Sequence, residues 1–156
     1  MDALRKLYFR FVSVANSLQP YFLLFVRLYW GYQFVVDGWG KLTHLAKVTE
    51  YFGTLGLPAP HATALFVSIL ELVGGVLLAI GLGTRLIALL LAGNMTVAYI
   101  TGDRDAVMSF FSDPDKFIAA SPFSYWMASL IILFFGPGRY SLDALIERMR
   151  PSEHLT

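Results

Sequence analysis

Runs of apolar residues dominate the chain, and the few polar positions inside them set the rest of the reading. The clearest run is Ala62 to Leu82, 21 residues with a single charge, Glu71, near its middle. As a helix rising about 1.5 Å per residue it matches a hydrocarbon core of roughly 30 Å. A carboxylate at that depth is costly unless it is paired or neutral. Its partner must come from another part of the chain, a ligand or a proton.

The flanking pattern predicts further helices. In residues 1–19, Leu4, Leu7, Phe11, Val14 and Leu18 recur at three- and four-residue spacing, with Arg5, Lys6, Ser13, Asn16 and Ser17 around the rest of the circumference. That is an amphipathic helix suited to the membrane interface or to packing on the bundle end. Pro20 is expected to start a new helix. The region 20–138 then reads as one membrane domain with spans at about 21–38, 62–82, 85–101 and 117–136. Asp37-Gly-Trp-Gly-Lys41 reads as a break after the first span, with Trp39 and Lys41 at the interface. Thr43 to Phe52 reads as a short surface helix. The link Gly83-Thr84-Arg85 is so short that its two spans must form an antiparallel hairpin. Gly102 to Asp115 is a polar loop, and Ser121-Pro122 is a place where the fourth span bends or starts late. Gly136-Pro-Gly138 ends that span, and 139–156 forms a short terminal helix, with Ser141 as its cap, and a tail.

Composition agrees with a bilayer. The chain has 156 residues, 56% hydrophobic and only 15% charged, against about 25% charged in soluble domains. Its mean hydropathy is +0.60. The fold class is therefore all-α: an integral membrane four-helix bundle with an amphipathic N-terminal interfacial helix. The net charge of +1 gives no basic surface for nucleic acid. With no cysteine, the chain carries no disulfide, thiolate metal site or thiol redox chemistry of its own. No cleavable signal pattern is expected at the start. Arg5, Lys6, Arg10, Arg85, Arg139, Arg148 and Arg150 fall on the side of the termini, against Lys41, Lys47, Arg104 and Lys116 on the other. The excess places both termini in the cytoplasm of a bacterial-type inner membrane.

Depth along the expected spans puts Arg27, Glu71 and Asn94 near one level. An Arg27–Glu71 ion pair with Asn94 as a third member is the expectation. Such a pair serves either to fix which helix faces which, or to hold a ligand. Arg27, Trp30, Gly31, Phe34, Gly38 and Lys41 share one helical face, and Gly74-Gly75 beside Glu71 allows close backbone approach. Trp30, Phe34, Tyr99, Tyr125 and Trp126 are candidates to line an aromatic cavity for a flat ring such as a quinone, although so aromatic a chain also supplies such a lining by chance. His44, His61 and His154 are scattered and show no metal-ligand spacing, and Asp103-Arg-Asp105 reads as a solvated loop.

Several segments then stand together: Arg27 with Gly38-x-x-Lys41, Gly56-Leu-Pro58, Glu71-Leu-Val-Gly-Gly75 running to Gly81-Leu-Gly-Thr-Arg85, Asn94-Met95 with Ala98-Tyr99, and Gly136-Pro-Gly-Arg-Tyr-Ser-Leu-Asp143. In this order and spacing, covering about residues 20 to 146, the chain resembles the DoxX family of small four-helix membrane proteins. The resemblance implies a redox-associated protein. Some relatives resemble the membrane subunit of a thiosulfate:quinone oxidoreductase, and others are linked to oxidative-stress systems as partners of soluble enzymes. Many relatives carry a histidine in the third loop; here that region reads Thr101-Gly-Asp-Arg-Asp105 without one.

Three functions follow in order. The first is a quinone-linked or redox-partner subunit in which Arg27, Glu71, Asn94, Trp30, Tyr99 and Trp126 bind the ligand. The second is a scaffold that anchors a partner protein without chemistry. The third is a small transporter, which with four spans requires a homo-oligomer.

Overall fold

The computed structural model describes residues 2–149; Arg150 and His154, named above, lie outside the described residues. Among the described residues there are eight helices and no strand: α1 (Asp2–Thr43), α2 (Leu45–Thr54), α3 (Pro60–Ile80), α4 (Thr84–Thr101), α5 (Arg104–Met108), α6 (Pro114–Ala119), α7 (Pro122–Phe135) and α8 (Leu142–Met149). By length and hydropathy α1, α3 and α4 can each cross a membrane, and α7 is a shorter apolar helix of 14 residues. This is an all-α membrane protein.

The first departure from expectation is α1. It runs unbroken for 42 residues through Pro20 and through Gly38-Trp39-Gly40. A proline inside a helix removes one backbone hydrogen bond and crowds the preceding turn, but here it does not stop the helix. The glycines that looked like a break serve close packing instead. A Cβ on Gly38 would lie 2.7 Å from the Ser68 carbonyl oxygen, and one on Gly75 would lie 2.6 Å from the Gly31 carbonyl oxygen. No side chain fits at that separation, so α1 and α3 touch backbone to backbone. The neighbouring Gly74 faces α4, against Leu91 and Ile87. The glycine pair thus divides between two partners inside the chain.

The helices α1, α3, α4 and α7 contact one another in a closed ring, α1 to α3 to α4 to α7 and back to α1. Val26, Phe34, Leu78, Ala88, Leu91, Met95, Ala128 and Ile132 form the core between them. The lipid-facing side remains apolar, with Phe25, Phe66, Leu89 and Phe134 exposed. The fourth apolar helix begins at Pro122 rather than 117, because Ala120 is extended and separates it from α6. The hairpin between α3 and α4 turns on Gly81 (φ +75°) and Gly83 (φ +58°), left-handed positions that favour glycine.

Candidate functional site

The buried charges of the bundle fall into two groups at different levels, one at the C-terminal end of α3 and one near its middle. One centres on Arg27, which is only 1% exposed. Its Nη1 donates to the Pro137 carbonyl, and its Nη2 donates to the carbonyls of Tyr140 (2.7 Å) and Ala79 (3.3 Å). A Cβ on Gly81 would come within 2.8 Å of Nη1, so the guanidinium is closely enclosed. Nearby, Asp143 at the start of α8 accepts from the Gly83 and Thr84 amides at 2.8 Å each, and its own amide donates to the Gly81 carbonyl at 2.9 Å. Asp143 thereby caps α4 from outside that helix. Burial pushes the Asp143 carboxyl up, but Thr84, the Gly83 amide and the Arg27 charge outweigh it. The net position is below the usual carboxylate range. The segments 81–85 and 136–143 are therefore halves of one clamp, joined through Arg27.

The other group centres on Glu71, also 1% exposed. Its carboxylate accepts from Lys41 Nζ at both oxygens and from Asn94 Nδ2 at 3.0 Å. The Arg27–Glu71 pair expected from the sequence is not formed: Lys41 takes that place. The reason is register. Gly31 packs at Gly75 and Ala79 while Gly38 packs at Ser68 and Leu72. These antiparallel contacts put Arg27 beside the α3 C-terminus and Lys41 near Glu71. Depth counted from Pro20 as a helix start placed Arg27 too far along α1. Lys41, expected at the membrane interface, instead turns inward to Glu71; its sharing of one face with Arg27 and Gly38 was the sequence signal that could have shown this. Asp37, one turn before Lys41, is the other residue of this site that sequence reasoning passed over.

A cavity of about 320 Å³ opens beside this group. Asp37, Lys41, Glu71, Asn94 and Tyr125 line its polar end. Its walls are Val48 and Phe52 of α2, Leu55 just past its end, Val67 of α3, and Met95 and Ala98 of α4, with Asp103 and Pro122 toward the loops. Of the aromatic residues proposed from sequence, Tyr125 alone lines this space. Trp30 and Phe34 instead pack edge-on against Tyr125, each with ring centroids 4.9 Å apart. Tyr99 stacks on Phe117 at 4.8 Å and donates its hydroxyl to the Phe117 carbonyl. Trp126 donates Nε1 to Thr96 Oγ1 at 3.0 Å. Trp30, Tyr99 and Trp126 are thus packing residues around the site rather than its lining.

The DoxX family model matches residues 22–104, a stretch that holds both Arg27 and the whole Lys41–Glu71–Asn94 cluster. The chain belongs to the DoxX family. Among relatives of this DoxX protein, the Escherichia coli inner membrane protein YqjF is 26% identical over 134 residues, which covers 85% of this chain and 98% of YqjF. The E. coli inner membrane protein YphA is 25% identical over 92% of this chain and 99% of its own. A Bacillus subtilis protein named "Putative oxidoreductase CatD" is 36% identical over 78 residues. That match takes in 50% of this chain and spans 57% of CatD. No solved structure matches the chain.

Proposed function

We propose that this DoxX protein is an inner-membrane subunit of a redox system, and that its cavity takes the head group of a quinone. The observation that carries the reading is a buried carboxylate, held by an ammonium and an amide, at the end of an otherwise largely apolar space. The size suits a small ring, since ligand cavities usually run from about 300 to 1,000 Å³ with few polar groups. The donor set also suits it. Lys41 Nζ carries three N–H donors and its two contacts to Glu71 engage two of them, so the third can turn to a carbonyl oxygen. Asn94 holds the carboxylate in place from the α4 side. Glu71, shielded from water, can keep or pass a proton through the Lys41 contact. A bound quinone would supply two-electron chemistry, with electrons from a redox partner protein because this chain has no cysteine. The word oxidoreductase in the name of CatD supports the same direction. The arginine bias described above orients both termini toward the cytoplasm.

A scaffold role is the second reading. It is favoured by the stripe Leu4, Leu7, Phe11, Val14 and Leu18 on α1, all of it exposed. Mass spectrometry of organic extracts separates the two. The wild type should retain a quinone that Lys41→Met and Glu71→Gln lose, and added short-chain ubiquinone should raise its thermal midpoint. A wild type that neither retains quinone nor is stabilised by it sinks the quinone reading.

A further inference from the structure

A second groove of about 550 Å³ lies at the other end of the bundle, between α1 and α8. Asn16, Gln19 and Leu23 of α1, Phe135 at the end of α7, and Arg139 and Arg148 line it. Glu147 lies at the same groove. Among the described residues the one ion pair is Lys41–Glu71, so neither Arg139 nor Arg148 has a carboxylate within 4.0 Å. Among the described residues, two guanidiniums and one acid therefore line this groove.

The depth of this groove follows from its neighbours. It lies where the apolar run of α7 ends and that of α1 begins after Pro20. Beside it the Tyr21 and Tyr140 hydroxyls are bonded at 3.1 Å with their rings 5.2 Å apart. Paired tyrosines of this kind are usual at the level of lipid head groups. Helix α8 agrees. Leu142, Leu145, Ile146 and Met149 are exposed along one face, while Ala144, Glu147 and Arg148 on the opposite face line the groove. Its apolar face matches the boundary between head groups and acyl chains.

We infer that this groove binds the phosphate of an anionic phospholipid. Arg139 and Arg148 present planar forks that match phosphate oxygens. Asn16 and Gln19 add uncharged donors at the rim, and Leu23 with Phe135 forms an apolar floor for the first carbons of an acyl chain. The floor is what distinguishes a lipid from free phosphate, which would use the arginines alone. Basic pockets between membrane helices are a recurring form of lipid site.

Native mass spectrometry of the full chain, released from detergent, tests this. Phosphatidylglycerol, phosphatidylcholine and inorganic phosphate are offered separately at equal concentration. The expected result is one retained phosphatidylglycerol per chain, with Arg139→Gln/Arg148→Gln weakening it about thirty-fold, as two surface cations would. Lys47→Gln/Arg104→Gln, which removes the same charge elsewhere, should leave retention unchanged. Both arginines are exposed, so circular dichroism should show the double variant as helical as the wild type. The inference is overturned if the wild type retains no phosphatidylglycerol or the groove variant retains it equally. Equal loss in the control variant, or equal binding of phosphatidylcholine or inorganic phosphate, overturns it too.

Discussion

Arg27 and Lys41 stand on one face of α1 and both turn a cation into the bundle, yet their surroundings differ in kind. Arg27 is met by three backbone carbonyls, those of Ala79, Pro137 and Tyr140, and glycine is the only residue that fits beside it at position 81. Lys41 is met by side chains, Glu71 directly and Asn94 through it, and open space adjoins them. A cation whose two Nη groups are held by fixed carbonyls, with no adjoining cavity, has little freedom to do more than hold the chain. A cation satisfied by a movable carboxylate next to a cavity can exchange its partner for a ligand. Burial alone, equal for Arg27 and Glu71, does not separate the two roles; the adjoining volume does.

The largest test of this contrast is Arg27→Leu. It leaves three carbonyls without a donor and should cost about 4 kcal/mol, read as unfolding in denaturing detergent. Quinone retention per folded molecule should stay at the wild-type level; if it falls in step with stability, the two groups are not separate. Next comes Lys41→Met, which strands the Glu71 carboxylate and should cost about 3 kcal/mol. Glu71→Gln in that background should recover much of the loss while leaving the cavity without its charge pair. A double-mutant cycle with no coupling would show that the pair does not form. Gly38→Ala should cost about 2 kcal/mol by pressing on the Ser68 carbonyl, and should displace Lys41 from Glu71, so quinone retention should drop as well. Unchanged stability would mean that α1 and α3 are farther apart than described. The smallest effect belongs to Asp143→Asn, about 1 kcal/mol from a weakened cap. Its sign with pH is fixed. The folded carboxyl sits below the unfolded value of about 3.9, so its contribution is full above that value. It is lost as pH falls through the folded value. A stability profile taken from pH 6 to pH 3 should therefore be flatter in the variant than in the wild type.

The sequence carried helix placement well where composition alone decides it. The runs read at 62–82 and 85–101 differ by two residues or fewer from Pro60–Ile80 and Thr84–Thr101. Long apolar runs bounded by Gly and Pro leave few alternatives. It also carried which residues of α1 share a face, because that follows from the helical period. It misled at Pro20 and at Gly38-Trp39-Gly40, where residues that usually end helices lie inside one. Whether a glycine breaks a helix or admits a neighbour depends on what lies across from it, here Ser68 and Leu72, and that is tertiary information. The exchange of Arg27 for Lys41 as the partner of Glu71 has the same origin. Face is periodic and local, whereas depth depends on where a helix begins, and α1 begins well before Pro20. The aromatic lining failed for another reason: in a chain this rich in aromatics, ring-to-ring packing competes with cavity walls, and Trp30, Tyr99 and Trp126 take the first course.

The shortness of α7 has a consequence for the surrounding membrane. Its 14 residues rise about 21 Å, well short of a hydrocarbon core of roughly 30 Å. Hydrophobic mismatch of this size is relieved by local thinning of the bilayer, and the Pro122 end of the helix is also an edge of the cavity. Head groups and water should dip inward along that flank, giving the cavity a sideways entrance from the plane of the membrane. Reconstitution in bilayers of shorter acyl chains should accordingly leave the protein as stable as, or more stable than, in thick ones; steady destabilisation as the chains shorten would show that the lipid meets α7 at full thickness.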